Sequence, residues 1–378
     1  MTETKSMNRV VFLLRNFRQG SGGVPESVRL MAQALLEHGY ASDVIVSGRI
    51  FKGVGKYPCL PKSHDEAEPI AAENADYSHA IMVGPWQSPL GALRVLFRNV
   101  NPTRLIYVPK GGISKIEFSR LRDIKKLPYL FLIEAFWLLA ARHIVFSSKL
   151  EMDSTFGPIS LLHHKCTVIP DLFLPSWPRA RRKYECVPGA KIKCSFLAEI
   201  HPRKGLEELI HGFHDWVVQH KLESKVVLKV GGVPRPGSEV YFDRILKFVE
   251  STPLRQCVQF VGPVAHEDRC DFYSDTDVFL ATSQFESYCL TVLEALHSGC
   301  LVVAGPDIGV LEYVSDHPNL LKLTDLSSVA INGSLQKIEQ RVSKLRDLNS
   351  AGASPKDVDV DGVVNSIALN RWQKVLAL

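Results

Sequence analysis

Short runs of consecutive apolar residues recur along this chain and alternate with segments of helical periodicity. Runs of this kind mark strands buried on both faces, as in parallel sheets covered by helices. The pattern predicts strands at Arg9–Leu14, Asp43–Ser47, His79–Val83, Arg104–Val108 and His143–Ser147, with helices at Ser27–His38 and Phe131–Ala141. Then it breaks. The segment VIPDLFLPSWPRARRKYECVPGA, Val168 to Ala190, carries four prolines and the cluster Arg179, Arg181, Arg182 and Lys183, the composition of a linker. A second series follows, with strands expected at Cys194–Leu197, Val226–Val230, Val258–Val261, Val278–Leu280 and Leu301–Ala304. Helices are expected at Leu206–His220, Val240–Ser251 and His266–Ser274. The fold class is therefore α/β, with two successive doubly wound domains. The boundaries read as 1–175, a linker at 176–190, and 191–362. The stretch Leu326–Val364 is polar and weakly patterned, and Val363–Leu378 returns to helical form with Trp372, Val375 and Leu376.

A chain of 378 residues with 46% hydrophobic and 22% charged content has material for two ordinary cores. The eight cysteines form no C-x-x-C pair and no zinc-ligand spacing, so they read as reduced, small apolar residues. The start, MTETKSMNRVVFLLRNF, reads as a first strand and not a signal peptide, and no apolar run is long enough to span a bilayer. A cytoplasmic location is the expectation. The formal charge of +5 is too small for a nucleic-acid binder. It is unevenly spread, however: Lys110 to Lys126 holds six cations against two acids, net +4, and precedes LPYLFLIEAFWLLA. Such a segment suits either a solvated face or peripheral contact with an anionic membrane surface.

Three stretches carry candidate chemistry. Gly20-Ser21-Gly22-Gly23-Val24-Pro25 joins the first strand to the first helix. Its small residues would let backbone amides approach a phosphate, although a purely structural turn fits equally. It is no dinucleotide fingerprint, because the third glycine falls on Pro25. Pro202-Arg203-Lys204-Gly205 leads into a helix and places two cations at its positive end, which is unfavourable unless an anion sits between them. FESYCLTVLEALHSGCLVVAG, Phe285 to Gly305, reads as loop, helix, glycine stop and buried strand. Its acids Glu286 and Glu294 stand eight positions apart, and a core helix has no evident use for either charge. A nucleotide sugar does: the helix N-terminus around Leu290 and Thr291 offers amides to a diphosphate, Glu294 suits the ribose and Glu286 the sugar.

Glu286-x7-Glu294, followed by Gly299 and the strand Leu301–Ala304, closely resembles the E-x7-E signature of retaining family 4 glycosyltransferases with the GT-B fold. FLAEIHPRKGLEELI is similar to the first strand, loop and helix of their donor domain, and GSGGVPESVRLMAQALLEHGYASDVIV to their N-terminal segment. FSSKLEMDSTF and TVIPD resemble the region before their linker, so the likeness spans nearly the whole chain. It implies two Rossmann-like domains facing each other across a cleft, the first binding the acceptor, the second the nucleotide sugar, with the final helix 363–378 rejoining the first. No metal and no cofactor is implied beyond the nucleotide-diphosphate sugar. Lys204 and Arg203 would hold the diphosphate, Glu286 the donor sugar, Glu294 the ribose, and the amides of Leu290, Thr291, Gly22 and Gly23 phosphate or sugar oxygens. The acceptor would be a glycan or lipid-linked glycan in polysaccharide biosynthesis. Two positions depart from the pattern. Glu199 stands where many members carry an arginine, and Lys110 where many carry a histidine that touches the donor sugar. These departures leave open a weak or inactive homologue that binds a glycan or partner; a separate alternative is a nucleotide-sugar epimerase of the same fold, which would convert the donor without any acceptor.

Overall fold

The computed structural model describes residues 8–18, 23–46, 49–69, 77–84, 104–115, 128, 130–155, 157–175, 177–179, 189–350 and 359–377. The chain divides into two units, Met1–Leu174 with Val363–Leu378, and Pro175–Gly362.

The first unit is built on an eight-stranded sheet. Its strands are β1 (Asn8–Leu14), β2 (Tyr40–Val46), β3 (Arg49–Phe51), β4 (Glu68–Pro69), β5 (His79–Val83), β6 (Leu105–Val108), β7 (His143–Phe146) and β8 (Cys166–Val168). Their order is β4-β3-β2-β1-β5-β6-β7-β8. All neighbours from β2 through β8 pair in parallel, whereas β3 and β4 form an antiparallel edge. The continuous apolar run in β1 has a direct cause. Successive side chains point to opposite faces, and both faces are covered. Val10, Phe12 and Leu14 join one core, shared with the helix α1 (Gly23–Glu37) and the closing helix. Val11 and Leu13 join the other, with Trp137 and Leu138. The predicted helix Phe131–Ala141 is in two parts, a π-helical turn over Leu130–Glu134 followed by α2 (Ala135–Ala140). A short helix α3 (Lys149–Asp153) follows β7, capped by the Ser148 hydroxyl, which accepts from the Glu151 amide.

The second unit is wound on a six-stranded, wholly parallel sheet. Its strands are β9 (Ile192–Leu197), β10 (Val226–Gly231), β11 (Val258–Gly262), β12 (Val278–Ala281), β13 (Leu301–Ala304) and β14 (Leu320–Lys322), in the order β11-β10-β9-β12-β13-β14. Helices α4 (Leu206–His220), α5 (Glu239–Glu250), α6 (Arg269–Ser274), α7 (Leu290–His297) and α8 (Leu311–Val314) connect them. The polar stretch after Leu326 is a long helix, α9 (Ser328–Ser350), where no element was expected. Ile331, Leu335, Ile338 and Val342 form its single buried stripe, and Gly212 of α4 lets it approach: a Cβ there would lie 2.6 Å from Ile331.

The last helix, α10 (Val360–Ala377), belongs from Val363 onward to the first unit. Ala368, Trp372, Val375 and Leu376 enter the core of β1 and α1. Asn365 fastens it further: its amide donates to the Phe173 carbonyl at 2.6 Å, and its side-chain oxygen accepts from the Phe173 amide at 2.8 Å.

Candidate donor site in the second unit

In the second sheet the chain runs outward from β9 through β10 to β11, then returns to the other side of β9 with β12. Strand order reverses between β9 and β12, and open α/β sheets form ligand crevices outside the carboxyl ends of strands at such a point. The two loops that leave those ends carry the predicted residues. Residues 198–205, after β9, hold Glu199, Arg203 and Lys204, and residues 282–289, after β12, hold Glu286.

The loops are bonded to each other. The Gln284 amide donates to the Arg203 carbonyl at 2.8 Å, and the Thr282 hydroxyl to the Gly205 carbonyl at 2.9 Å. Gly205 adopts a φ of 67°, and a Cβ on it would fall 1.9 Å from the Thr282 carbonyl oxygen, so glycine is the residue that permits this approach. The outcome is a contact between two residues 82 apart in sequence: the Lys204 ammonium pairs with the Glu286 carboxylate. Ser283 Oγ donates to the same carboxylate oxygen at 2.9 Å. The backbone of Glu286 is fixed from the far side, its amide donating to Asp307 at 2.9 Å and its carbonyl accepting from Gly309 at 3.0 Å. Burial by itself would raise the Glu286 carboxyl. The charges of Lys204 and Arg203, with the hydrogen bonds from Lys204 and Ser283, outweigh it and hold the group below the usual carboxylate range. Glu286 is therefore an anion between cations, with most of its side chain withdrawn from water.

The helix α7 begins just beyond. Cys289, the residue before it, takes a φ of 89°, a strained conformation for a residue with a side chain. Burial pushes its thiol up to about 12. Leu290 and Thr291 occupy the first turn, whose amides an α-helix leaves without intrahelical acceptors.

Glu294 lies one turn on and departs from the expectation that a core helix has no use for its charge. It is 4% exposed, and both oxygens are engaged: one pairs with Arg269, the other accepts from Tyr273 Oη at 2.8 Å. Arg269 and Tyr273 stand four residues apart on one face of α6. Sequence reasoning missed them, and the one available signal was that i, i+4 spacing. Glu199 is half exposed and lies 3.9 Å from Arg235.

The remaining predicted residues belong to the first unit. Gly22 lies outside the described residues, and Gly23 is the first residue of α1. Lys110 follows β6 with a φ of 50°. Its ammonium pairs with Asp171 and donates to Ser27 Oγ at 3.0 Å and Ser147 Oγ at 3.2 Å, so three acceptors surround its three protons. These groups line a small cavity that Met31 and Trp372 also border. Beneath it, the buried Glu151 carboxylate accepts from the Gly111 and Ser147 amides and joins the ends of β6 and β7. Burial raises Glu151 to about 7, against the opposing effect of those two hydrogen bonds. Asp171, Ser27, Ser147 and Glu151 were not singled out from sequence, because each meets Lys110 or its loop only through the fold.

Residues 181–353 match the family model of glycosyl transferases group 1. A 120-residue stretch is 31% identical to mannosylfructose-phosphate synthase of Agrobacterium fabrum, covering 32% of this chain and 26% of that protein. A 147-residue stretch is 26% identical to D-inositol 3-phosphate glycosyltransferase 2 of Catenulispora acidiphila, covering 39% of this chain and 34% of that protein. The chain thus spans about a third or less of the length of these curated relatives. Among solved structures, sucrose-phosphate synthase from Thermosynechococcus elongatus aligns with a TM-score of 0.66 at 15% identity, over 98% of this chain and 96% of that one. HepE of Anabaena, solved with UDP and glucose, aligns with a TM-score of 0.64 at 15% identity, over 98% of this chain and all of that one. The two-unit α/β architecture with parallel sheets is that of GT-B glycosyltransferases.

Proposed function

We propose that the chain is a retaining glycosyltransferase that moves a sugar from a nucleotide-diphosphate donor to a glycan or lipid-linked glycan acceptor in polysaccharide biosynthesis. The observation that carries this reading is the pairing of Lys204 with Glu286, beside Arg203, where the chain leaves β9 and β12. Cations, helix-terminal amides and an ionised acceptor of hydrogen bonds together suit a diphosphate joined to a polyol. That HepE was solved with UDP and glucose makes a uridine nucleotide the first probe.

In this reading Lys204 exchanges part of its interaction with Glu286 for the diphosphate, and Arg203 and the amides of Leu290 and Thr291 hold the other oxygens. Glu286 then accepts from hydroxyls of the donor sugar. The C1–O bond to the diphosphate breaks as the acceptor oxygen bonds to C1 from the same face. The acceptor proton passes to the departing phosphate oxygen, so configuration is kept without a protein nucleophile. The work of the site is stabilisation of negative charge on the leaving group, by donors already in place. No metal takes part. Glu294 reaches a ribose only by sharing its carboxylate with Arg269 and Tyr273, which makes it as much a support of α7 as a ligand.

The test is a thermal-shift series with nucleoside diphosphates and nucleotide sugars on the wild type and on Lys204→Ala, with donor turnover followed in the presence of EDTA. A nucleotide at 100 times its dissociation constant adds about 2.7 kcal/mol. Stabilisation of the wild type and not of Lys204→Ala, with EDTA-resistant turnover and a product of unchanged anomeric configuration by NMR, is the expected result. Absence of any nucleotide response overturns the reading. A second reading, a nucleotide-sugar binder with little turnover, draws on the engagement of Lys110 by Ser27, Ser147 and Asp171. It is distinguished by binding without measurable transfer or hydrolysis.

A further inference from the structure

Trp177 lies just after the chain leaves the first unit at Leu174, and Asp361 just before it returns at Val363. Both are fastened to the end of α7. Trp177 is 7% exposed, and its indole Nε1 donates to Ser298 Oγ at 3.1 Å. Its carbonyl oxygen lies 3.0 Å from His297 Nε2. Asp361 Oδ2 lies 2.5 Å from His297 Nδ1 and accepts from Arg179 at 3.1 Å. Arg179 also reaches Asp359 at 3.0 Å.

These partners fix the protons of His297. A carbonyl oxygen has none to give, so Nε2 carries one. A bare Nδ1 would then turn its lone pair on a carboxylate oxygen, so Nδ1 carries one as well. The ring is an imidazolium, buried at the C-terminal end of a helix, where a cation is favoured. The charges of the cluster balance: His297 and Arg179 stand against Asp359 and Asp361.

Trp177 in turn bears on Tyr273. The two rings stack, with centroids 6.3 Å apart and 28° between their planes. Phe279 meets the Tyr273 ring edge-on at 5.5 Å. Tyr273 is fully buried, so these neighbours set the direction of the hydroxyl that it donates to Glu294. An unbroken series of contacts therefore runs from Asp361 through His297, Trp177 and Tyr273 to Glu294.

We propose that Trp177 and His297 are positioning residues of the donor site: protonated His297 holds Trp177 on α7, and Trp177 holds Tyr273, so that Glu294 presents a fixed carboxylate to the ribose. This rests on the donor reading and brings into the site a segment whose composition is that of a linker. The test is calorimetric titration of the full chain with UDP, ADP and GDP, each beside its 2′-deoxy counterpart. The ratio of the two dissociation constants is the readout, because a general loss of stability weakens both alike. The wild type is expected to favour the ribonucleotide by about tenfold or more, the effect of one hydrogen bond to a charged acceptor. Trp177→Ala and His297→Leu are expected to bring the ratio below about threefold. Trp177→Phe keeps the stacked ring and is expected to retain most of the preference. Melting temperatures without nucleotide show which variants fold, and Ser298→Ala, which removes only the indole hydrogen bond, gives the comparison should Trp177→Ala not fold. Nitrogen NMR at neutral pH, assigned with His297→Leu, is expected to show both ring nitrogens of His297 protonated. A wild type that binds none of the nucleotides overturns the donor reading and this inference with it. A wild type that binds without preference for ribose, folded variants that keep its ratio, or a neutral His297 ring overturn this inference alone.

Discussion

The phenol of Tyr273 donates to the carboxylate of Glu294 at 2.8 Å in a site from which water is excluded. Arg269 takes the other oxygen, so the triad ties α6 to α7. Removing the carboxylate takes a shared acceptor from both. Glu294→Ala is expected to destabilise the second unit by about 1–3 kcal/mol, and Tyr273→Phe by about 1–2 kcal/mol. Denaturant unfolding checks both. An unchanged midpoint for Glu294→Ala would show that the acid serves a ligand alone.

Gly205→Ala is a sharper probe of the Lys204 position than any change of charge. The new Cβ would fall on the Thr282 carbonyl, at a φ that side chains resist. The loop must shift to admit it, at an expected cost of at least about 2 kcal/mol. Because Lys204 is the preceding residue, nucleotide-induced stabilisation is expected to fall together with the melting temperature. Gly237→Ala also changes a glycine of positive φ, but nothing lies within 4 Å of its Cβ. It is expected to show a smaller loss of stability and an unchanged nucleotide response.

Glu151 makes the first unit sensitive to pH near neutrality. Its folded value of about 7 lies above the 4.5 of an ordinary glutamate. A raised carboxyl contributes stability that is complete below the unfolded value and is lost as pH rises through the folded one. The contribution of Glu151 to stability is therefore expected to decline between about pH 4.5 and 7, by roughly 3 kcal/mol, while burial of His79, which lowers it to about 4, makes an opposite contribution over nearly the same range. Glu151→Gln is expected to remove the first contribution alone, so that the stability of the variant relative to the wild type rises with pH across this window. A difference between the two that stays constant with pH would exclude the effect.

Thiol chemistry should discriminate among the cysteines. Cys59 is exposed, whereas burial pushes Cys289 up to about 12 and Cys166 and Cys257 to about 11. At pH 8 iodoacetamide is expected to label Cys59 and to leave these three unmodified until the chain is unfolded, as read by peptide mass spectrometry. Cys289→Gly is expected to stabilise by up to about 1 kcal/mol, because it removes a side chain from a positive-φ position. A lower melting temperature for this variant would mean that the thiol contact with Thr291 matters more than the strain.

The strands and most helices were legible because burial on both faces leaves a local mark: Val10 to Leu14 and Leu301 to Ala304 are apolar without interruption. Glu286 and Lys204 stood out as candidates because charge is conspicuous at a loop before a helix, whereas their pairing across 82 positions left no local mark. The helix Ser328–Ser350 was not. It buries a single stripe, with Ile331, Leu335, Ile338 and Val342 set among polar residues, and its partner α4 lies more than a hundred residues away. The surroundings of Glu294 and Lys110 were hidden for the same reason. Arg269, Tyr273, Ser27 and Asp171 reach them across 25, 21, 83 and 61 positions, and no local pattern records such a meeting.

The return of α10 to the first unit has a consequence for the order of events during synthesis. Domains generally form as they emerge, the N-terminal one first. Here the core around Phe12 and Val28 lacks Ala368, Trp372 and Val375 until the whole of the second unit has been made. The second unit, contiguous from Pro175 to Gly362, has all its strands before then. Of the two units, the first is therefore begun earlier and completed later, and on the ribosome it waits with an open seam along β1 and α1 until Trp372 arrives to close it.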